Sequence, residues 1–311
     1  MSEPLIALTG ATGFIGRHLL RTLSGRGFRL RVLLRRPVEL PEGASGAVVG
    51  DLSRPINMAA ALAGVDAVVH SAGLAHAMSG LPEDDFRSSN TEATRRLAEA
   101  AQRARVRRFV FLSSIRAQTG PSAPAPLTDA DPPAPTDAYG RSKLAAEEAL
   151  AETGLEWVAL RPVLVHGEGV KGNMAALLRL ARLPYPLPFG AFGGRRSLIS
   201  ADSLAGAVET VLRAPSPLGR ALIAADPDPL TLPEMIAALR RGMGRGPGLV
   251  PVPPGLIGLA ARLAGRGEEF ERLSGSLVAR PDGLLALGWT PARSSPESLA
   301  ALARGEASAR P

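Results

Sequence analysis

Residues 9–16 read Thr9-Gly10-Ala11-Thr12-Gly13-Phe14-Ile15-Gly16, directly behind the apolar run Leu5-Ile6-Ala7-Leu8. Three glycines in this stretch follow a strand-like segment and open a helix-like one. That context gives a glycine pattern meaning, since the bare pattern is weak. Small residues permit a tight turn and a close backbone approach. The helix N-terminus behind them offers N–H groups and a partial positive charge to an anion. The turn therefore suits the phosphates of a dinucleotide, with Gly10, Thr12, Gly13, Phe14, Ile15 and Gly16 along them. Taken alone, it could equally be an ordinary strand-to-helix connection.

The first half of the chain repeats the same alternation. Strands are expected at 5–9, 30–34, 47–49, 66–70, 109–112 and 157–160, and a last one at 221–224. Helices are expected at 17–24, 91–104 and 139–151. Short apolar strands alternating with helices imply a parallel sheet covered on both faces. The expected fold is α/β, a doubly wound parallel Rossmann sheet with a smaller, interleaved C-terminal substrate-binding lobe. Residues 1–165 are expected to form the dinucleotide-binding domain. Residues 166–311 are expected to form mainly the substrate lobe, with 200–225 returning to the main core. The main break, PSAPAPLTDADPPAPT at 121–136, falls between the fifth strand and the 139–151 helix. Ligands in such sheets lie beyond the carboxyl ends of the strands, so this loop should border the site. It could be a mobile edge or a passive surface connection.

Composition narrows the chemistry. There are 311 residues with 45% hydrophobic content, enough for a large core, and no cysteine, which excludes disulfides and thiolate metal sites. His18, His70, His76 and His166 have no metal-ligand spacing, so no metal is expected. The chain enters its first strand without a basic leader, and no signal peptide is expected. The apolar stretch 249–265 is interrupted by Pro251, Pro253, Pro254 and Arg262, so no transmembrane segment is expected. A cytoplasmic location is expected. The net charge of +7 is mostly arginine, with a cluster at Arg103, Arg105, Arg107 and Arg108. No aromatics interleave it, and it reads as a solvated helix end rather than a nucleic-acid surface. The positive field favours anionic small molecules.

A second constellation carries reactivity. Tyr139 and Lys143 lie four residues apart on one helix face, and Ser113-Ser114 ends the fifth strand. A free tyrosine has a pKa of about 10, too high for a base at neutral pH. A nearby ammonium and an oxidised nicotinamide favour phenolate. Tyr139 could then take a proton from a substrate hydroxyl while a hydride leaves for the nicotinamide, and Ser114 could hydrogen-bond the same oxygen. A lone Y-x-x-x-K means little. Behind a dinucleotide turn and a strand-end Ser-Ser it becomes a proton relay. The second strand ends in Arg35-Arg36. An acid there would bind the ribose 2′-hydroxyl of NAD, whereas arginine accommodates the 2′-phosphate of NADP. NADP is therefore favoured, with NAD possible. Asp51 and Leu52, after the third strand, could bound the adenine.

With these motifs in place, the chain resembles the extended short-chain dehydrogenase/reductase family, and within it bacterial nucleotide-sugar epimerases. The resemblance rests on TGATGFIG at 9–16, GDL at 50–52, HSAG at 70–73, Asn90, LSSI at 112–115, YGRSK at 139–143 and LRPVLVHGEG at 160–169. VKGN at 170–173, RRSLISADSL at 195–204 and GSLVARPDGLLALGW at 275–289 extend it. It implies a catalytic Ser114/Tyr139 pair, with Lys143 on the cofactor ribose. It adds Ser71, Ala72, Gly73 and Asn90 to the cofactor region, and Arg161 and Pro162 along the nicotinamide side. Asn173 and Arg196 would face a substrate diphosphate, where a guanidinium makes paired charge-assisted hydrogen bonds. The departures are Ser71 in place of an alanine, His166 where a tyrosine is frequent, and Arg35 where many members carry an acid. Ser114-Ile115-Arg116 lacks the acid pair of the family's 4,6-dehydratases, which sets dehydration aside.

The leading expectation is an NAD(P)-dependent nucleotide-sugar 4-epimerase, working by reversible hydride transfer through a 4-keto intermediate. A homodimer is the family's expectation. An NADP-dependent keto-sugar or small-carbonyl reductase would use the same residues, and Arg35 favours it. A non-catalytic NADP-binding assembly or sensor protein would keep the glycine turn without needing Ser114, Tyr139 and Lys143.

Overall fold

A computed structural model describes residues 3–74, 80–215 and 217–305, so His76 lies outside the described residues. Seven strands form the main sheet: β1 (Leu5–Thr9), β2 (Arg29–Leu34), β3 (Ala44–Val48), β4 (Ala67–His70), β5 (Arg108–Leu112), β6 (Glu156–Pro162) and, much later in the chain, Arg220–Ala224. Between them in sequence come the short strands β7 (Leu164–His166), β8 (Arg195–Arg196) and β9 (Leu198–Ser200), so Arg220–Ala224 is β10; Leu230–Thr231 is β11. The order across the main sheet is β10-β6-β5-β4-β1-β2-β3, and every pairing is parallel. The order reverses between β1 and β4, the point at which ligands bind beyond the strand ends in sheets of this kind.

The helices explain why the sheet is buried on both sides. α1 (Phe14–Ser24) and α7 (Ala201–Arg213) cover one face, where Leu19, Leu23, Leu204 and Val208 meet Ile6, Leu30 and Val158. On the other face α4 (Ala93–Arg103) and α5 (Ala138–Ala151) bring Leu97, Ala101, Ala146 and Leu150 against Ala7, Val68 and Phe109. The short helices α2 (Met58–Ala61) and α3 (Glu83–Phe86) lie in connections. The smaller lobe contains α6 (Gly172–Arg182), α8 (Leu232–Gly242), α9 (Pro254–Leu263), α10 (Gly267–Ser274), α11 (Asp282–Ala286) and α12 (Ser295–Arg304). Met174, Met235, Leu239 and Leu299 form one of its cores, and Leu187, Phe192 and Ile236 another.

Three sequence expectations are corrected. The third strand, expected at 47–49, begins three residues earlier and ends at Val48, because β3 is a half-exposed edge containing Gly46. The helix expected at 91–104 enters through a π-helical turn, Arg87–Glu92, before α4 begins at Ala93. The arginine cluster is not wholly solvated. Arg108 is 2% exposed, and its Nη1 donates to the carbonyls of Val211, Leu212 and Ala214 at 2.8, 3.1 and 2.7 Å. It thereby satisfies carbonyls at the C-terminal end of α7 that have no intrahelical partner, while its Nη2 pairs with Glu156 at 3.0 Å.

The proline-rich segment 121–136 is neither a free edge nor a passive connection. Ala123 N donates to Ser276 O and Leu127 N to Val278 O, both at 2.8 Å, and Arg280 N returns a bond to Leu127 O. Asp129 accepts from Ile223 N at 2.6 Å and Gly283 N at 3.0 Å. The segment 276–280 is in turn bonded to the Arg195–Ser197 stretch. The loop thus straps the end of the main sheet to the smaller lobe. Its prolines lack N–H donors, and the amides of Ala123 and Leu127 together with the Asp129 carboxylate carry the lacing.

Candidate active site

The nucleotide end begins where β1 turns into α1. Gly10 has φ +72°, and a Cβ there would lie 2.7 Å from Ala72 N. A Cβ on Gly16 would lie 2.0 Å from Gly10 O, so only glycine lets α1 pack this closely against the turn. Gly13 caps α1 with no side-chain bond, and the first turn carries no acid. The amides there are left for an incoming anion. Thr12 and Gly13 are exposed, and Phe14 and Ile15 are half-buried. The Ser71–Gly73 stretch lies against this turn, and a Cβ on Gly73 would come within 3.5 Å of Lys143 Nζ. These close approaches fit a cofactor laid from the turn toward α5.

Arg35 and Arg36 are both exposed just past β2. Arg35 Nη2 pairs with Asp51 Oδ2 at 3.3 Å, and Leu52 lies half-buried beside it in sequence. Asp51 also accepts from Ser53 N and Oγ, at 2.9 and 2.8 Å. Those bonds, with the lesser help of Arg35, hold its carboxyl below the usual range. Asn90 is buried in the π-helical turn. Its Oδ1 accepts from Leu74 N at 2.8 Å and its Nδ2 donates to Ser142 Oγ at 3.0 Å. It therefore joins the segment after β4 to α5.

The reactive end is built by β5 and α5. Ser114 follows β5 and Tyr139 stands in the first turn of α5, with Asp137 capping that helix by accepting Gly140 N at 2.7 Å. The Ser114 and Tyr139 side chains are hydrogen-bonded to each other. Burial raises the Tyr139 pKa above the usual value, the Ser114 bond opposes that, and Asp137 and Arg116 act in opposite directions on it. Lys143 Nζ donates to Leu112 O at 2.9 Å. Burial lowers its pKa to about 8, against a weak opposing pull from Glu147. Ser114, Tyr139 and Lys143 are thus brought together from positions 114–143.

Arg161 is also buried, but its guanidinium is committed: Nη2 lies 2.6 Å and Nε 3.1 Å from the two oxygens of Glu147. Pro162 ends β6 beside it. Arg196, on β8, donates to Pro121 O at 3.3 Å, and burial and the nearby Arg116 both lower its pKa. Asn173 is exposed in the first turn of α6.

Three residues make contacts at the site that the sequence does not announce, two of them, Glu147 and Asp137, absent from the sequence analysis. Glu147 accepts the Ser113 hydroxyl as well as Arg161. Asp137 binds Arg116 while capping α5. Arg116 donates its backbone N–H to Ser114 Oγ at 3.1 Å. An Asp two residues before Tyr139 is a readable N-cap, and Glu147 lies one turn beyond Lys143. Nothing in the linear order announces the pairing of Glu147 with Arg161.

A Rossmann sheet with a glycine turn and a Ser/Tyr/Lys cluster at its strand ends defines an NAD(P)-dependent enzyme of oxidoreductase type. Residues 6–222 match the model of the NAD dependent epimerase/dehydratase family, and the chain belongs to that family. It is 32% identical over 297 residues to a UDP-glucose 4-epimerase of Vibrio cholerae, covering 92% of this chain and 90% of that protein. It is 30% identical over 292 residues to a ceramide reductase of Caulobacter vibrioides, covering 92% and 86%. Among solved structures, MoeE5 in complex with UDP-glucuronic acid and NAD superposes with a TM-score of 0.75 at 25% identity, covering 95% of this chain and 96% of that one. Among the described residues no group of His, Asp or Glu could hold a metal ion, and no helix is long and apolar enough to cross a membrane.

Proposed function

We propose that this chain is a nucleotide-sugar 4-epimerase. The observation that carries the reading is the Ser114–Tyr139 hydrogen bond with Lys143 one helical turn away, in a chain similar over nine-tenths of its length to a UDP-glucose 4-epimerase. When bound, a nicotinamide cofactor would supply a reversible hydride acceptor. The chain's own residues handle the proton and the substrate. Tyr139 takes the proton of the sugar 4-hydroxyl and returns it to the 4-keto oxygen, and Ser114 holds that oxygen. Lys143, bonded here to Leu112 O, binds the cofactor ribose and favours phenolate.

In this reading Gly10, Thr12, Gly13, Phe14, Ile15 and Gly16 receive the pyrophosphate, Asp51 and Leu52 bound the adenine, and Ser71, Ala72, Gly73 and Asn90 shape the middle of the cleft. Pro162 borders the nicotinamide, with Arg161 held behind it by Glu147. Arg196 and Asn173 grip the diphosphate so that the sugar can present either face. Residues 1–165 serve the cofactor and 166–311 mainly the substrate. Arg35, with Arg36 beside it, supports NADP over NAD. The family resemblance supports a cytoplasmic homodimer, which light scattering on the purified protein checks.

A second reading, an NADP-dependent reductase of keto sugars or other carbonyls, is favoured by Arg35 and by the likeness to a ceramide reductase. Incubation with UDP-hexoses and UDP-N-acetylhexosamines, followed by NMR, separates the two. Interconversion of 4-epimers without build-up of reduced cofactor supports the epimerase. Stoichiometric consumption of NADPH with a keto substrate, and no epimer from any sugar, supports the reductase.

A further inference from the structure

His70 is fully buried at the end of β4 and has no part in the relay described above. Burial, with Lys143 nearby, lowers its pKa to about 3, so the ring is neutral and one nitrogen must accept while the other donates. The surrounding bonds decide which. Thr94 Oγ1 lies 2.6 Å from Asn90 O, a partner that can only accept, so the Thr94 proton is committed there. His70 Nε2, 3.0 Å from Thr94 Oγ1, must then carry the hydrogen and donate it. Thr9 Oγ1 already accepts the amides of Ser71 and Ala72, each at 3.1 Å. Its own proton is left for His70 Nδ1 at 2.7 Å.

The result is a line of hydrogen bonds with one direction. It runs from Thr9, the residue before the glycine turn, through the imidazole and Thr94 to Asn90. The Asn90 side chain carries it on to Ser142 Oγ at 3.0 Å, and Ser142 donates to the backbone oxygen of Tyr139 at 2.8 Å. A second connection runs through Phe111. The His70 ring stacks on it with centroids 5.6 Å apart, and Lys143 Nζ lies 4.6 Å from its centroid.

We infer that His70 is a positioning residue: a neutral, Nε2-protonated imidazole that sets the Ser71–Ala72 backbone against the glycine turn and ties that turn to the helix bearing Tyr139 and Lys143. Thr9 alone cannot do this. If nothing accepted its proton, the hydroxyl could rotate, and the two amides would lose a fixed acceptor in a buried place. The inference rests on the cofactor lying along the glycine turn. It does not depend on which substrate is turned over.

The test uses the full-length protein, its His70→Phe and His70→Asn variants, and NADP+ and NAD+ as probes. Phenylalanine keeps the stack on Phe111 but neither hydrogen bond. Asparagine can present an amide oxygen where Nδ1 stood. Nitrogen-15 NMR of the unmodified protein should show one histidine, assigned by its loss in either variant, with Nδ1 unprotonated and Nε2 protonated. Cofactor affinity by calorimetry should fall roughly tenfold or more in His70→Phe, the scale of one lost buried hydrogen bond. In His70→Asn it should stay within about threefold of the unmodified protein, on the same scale. An Nδ1-protonated or charged ring, or unchanged affinity in His70→Phe, overturns the inference. If His70→Phe does not fold, the tautomer and the Asn variant decide. Failure of the unmodified protein to bind either cofactor would instead overturn the reading of the glycine turn.

Discussion

Lys143 donates its ammonium to the carbonyl oxygen of Leu112 at 2.9 Å, two residues before Ser114. That bond ties the helix bearing Tyr139 and Lys143 to the end of the strand that leads to Ser114. It also holds a buried cation against a neutral acceptor, and burial lowers the lysine pKa to about 8, below the ordinary 10.5.

The consequence for stability has a definite sign. Below about pH 8 the lysine is charged in both the folded and the unfolded chain, and the burial penalty is present in full. Between about 8 and 10.5 the unfolded chain binds the proton that the folded chain has released, so this group's contribution becomes less unfavourable as pH rises. Urea unfolding of cofactor-free wild type and Lys143→Met at pH 7.5 and pH 10, values roughly bracketing the lower edge of that window, checks this. The difference should move in favour of wild type at the higher pH. An unchanged difference means the lysine is not desolvated.

Tyr139→Phe keeps the ring but removes the proton-carrying oxygen. Turnover should fall at least about a hundredfold, the usual scale of general acid–base catalysis. Cofactor affinity should stay close to that of wild type, because the proposed ribose contact is made by Lys143. Near-normal turnover in this variant would remove Tyr139 from the mechanism.

Glu147 and Arg161 form a buried pair, each about 5% exposed at the side chain. Removing one partner strands the other charge. Glu147→Ala should destabilise by about 3–5 kcal/mol, and Glu147→Leu combined with Arg161→Met should be less damaging than the single change. Chemical denaturation measures both. A single-variant cost below about 1 kcal/mol would mean the pair is hydrated and not a buried clamp.

How far the sequence carries can be judged from these residues. The glycine turn was legible because its glycines are local and fall between a strand and a helix. Tyr139 and Lys143 were legible because their spacing is the helical repeat. Burial of Arg108 is not legible, because a run of arginines looks alike whether it faces water or reaches back to the carbonyls of Val211, Leu212 and Ala214. The role of the 121–136 loop is not legible, because its partners, 223 and 276–283, are remote in sequence and are joined to it by backbone bonds and by the Asp129 carboxylate. The π-helical turn that holds Asn90 has no distinct residue pattern. His70 was visible as a motif letter, but its tautomer depends on Thr9 and Thr94, which only the fold brings to it.

Arg35 pairs with Asp51 on the surface, 72% and 54% exposed at the side chains, so the ion pair itself contributes little. The guanidinium remains able to turn to a 2′-phosphate. Calorimetric titration should show tighter binding of NADP than NAD. Arg35→Asp should erase or reverse the preference, with a loss for NADP of roughly 1.5–3 kcal/mol, the scale of a hydrogen bond to a charged group. Equal or tighter NAD binding in wild type would remove Arg35 from cofactor choice.

The central claim is that the hydride taken from the substrate goes back to it. The most direct measurement follows a UDP-hexose deuterated at carbon 4 through turnover on the unmodified protein, by NMR and mass spectrometry. The expected result is a mixture of 4-epimers, the deuterium retained at carbon 4 in both, and no accumulation of reduced cofactor. Recovery of the sugar unchanged, together with delivery of deuterium from labelled NADPH to a keto substrate at one cofactor consumed per product, would contradict it.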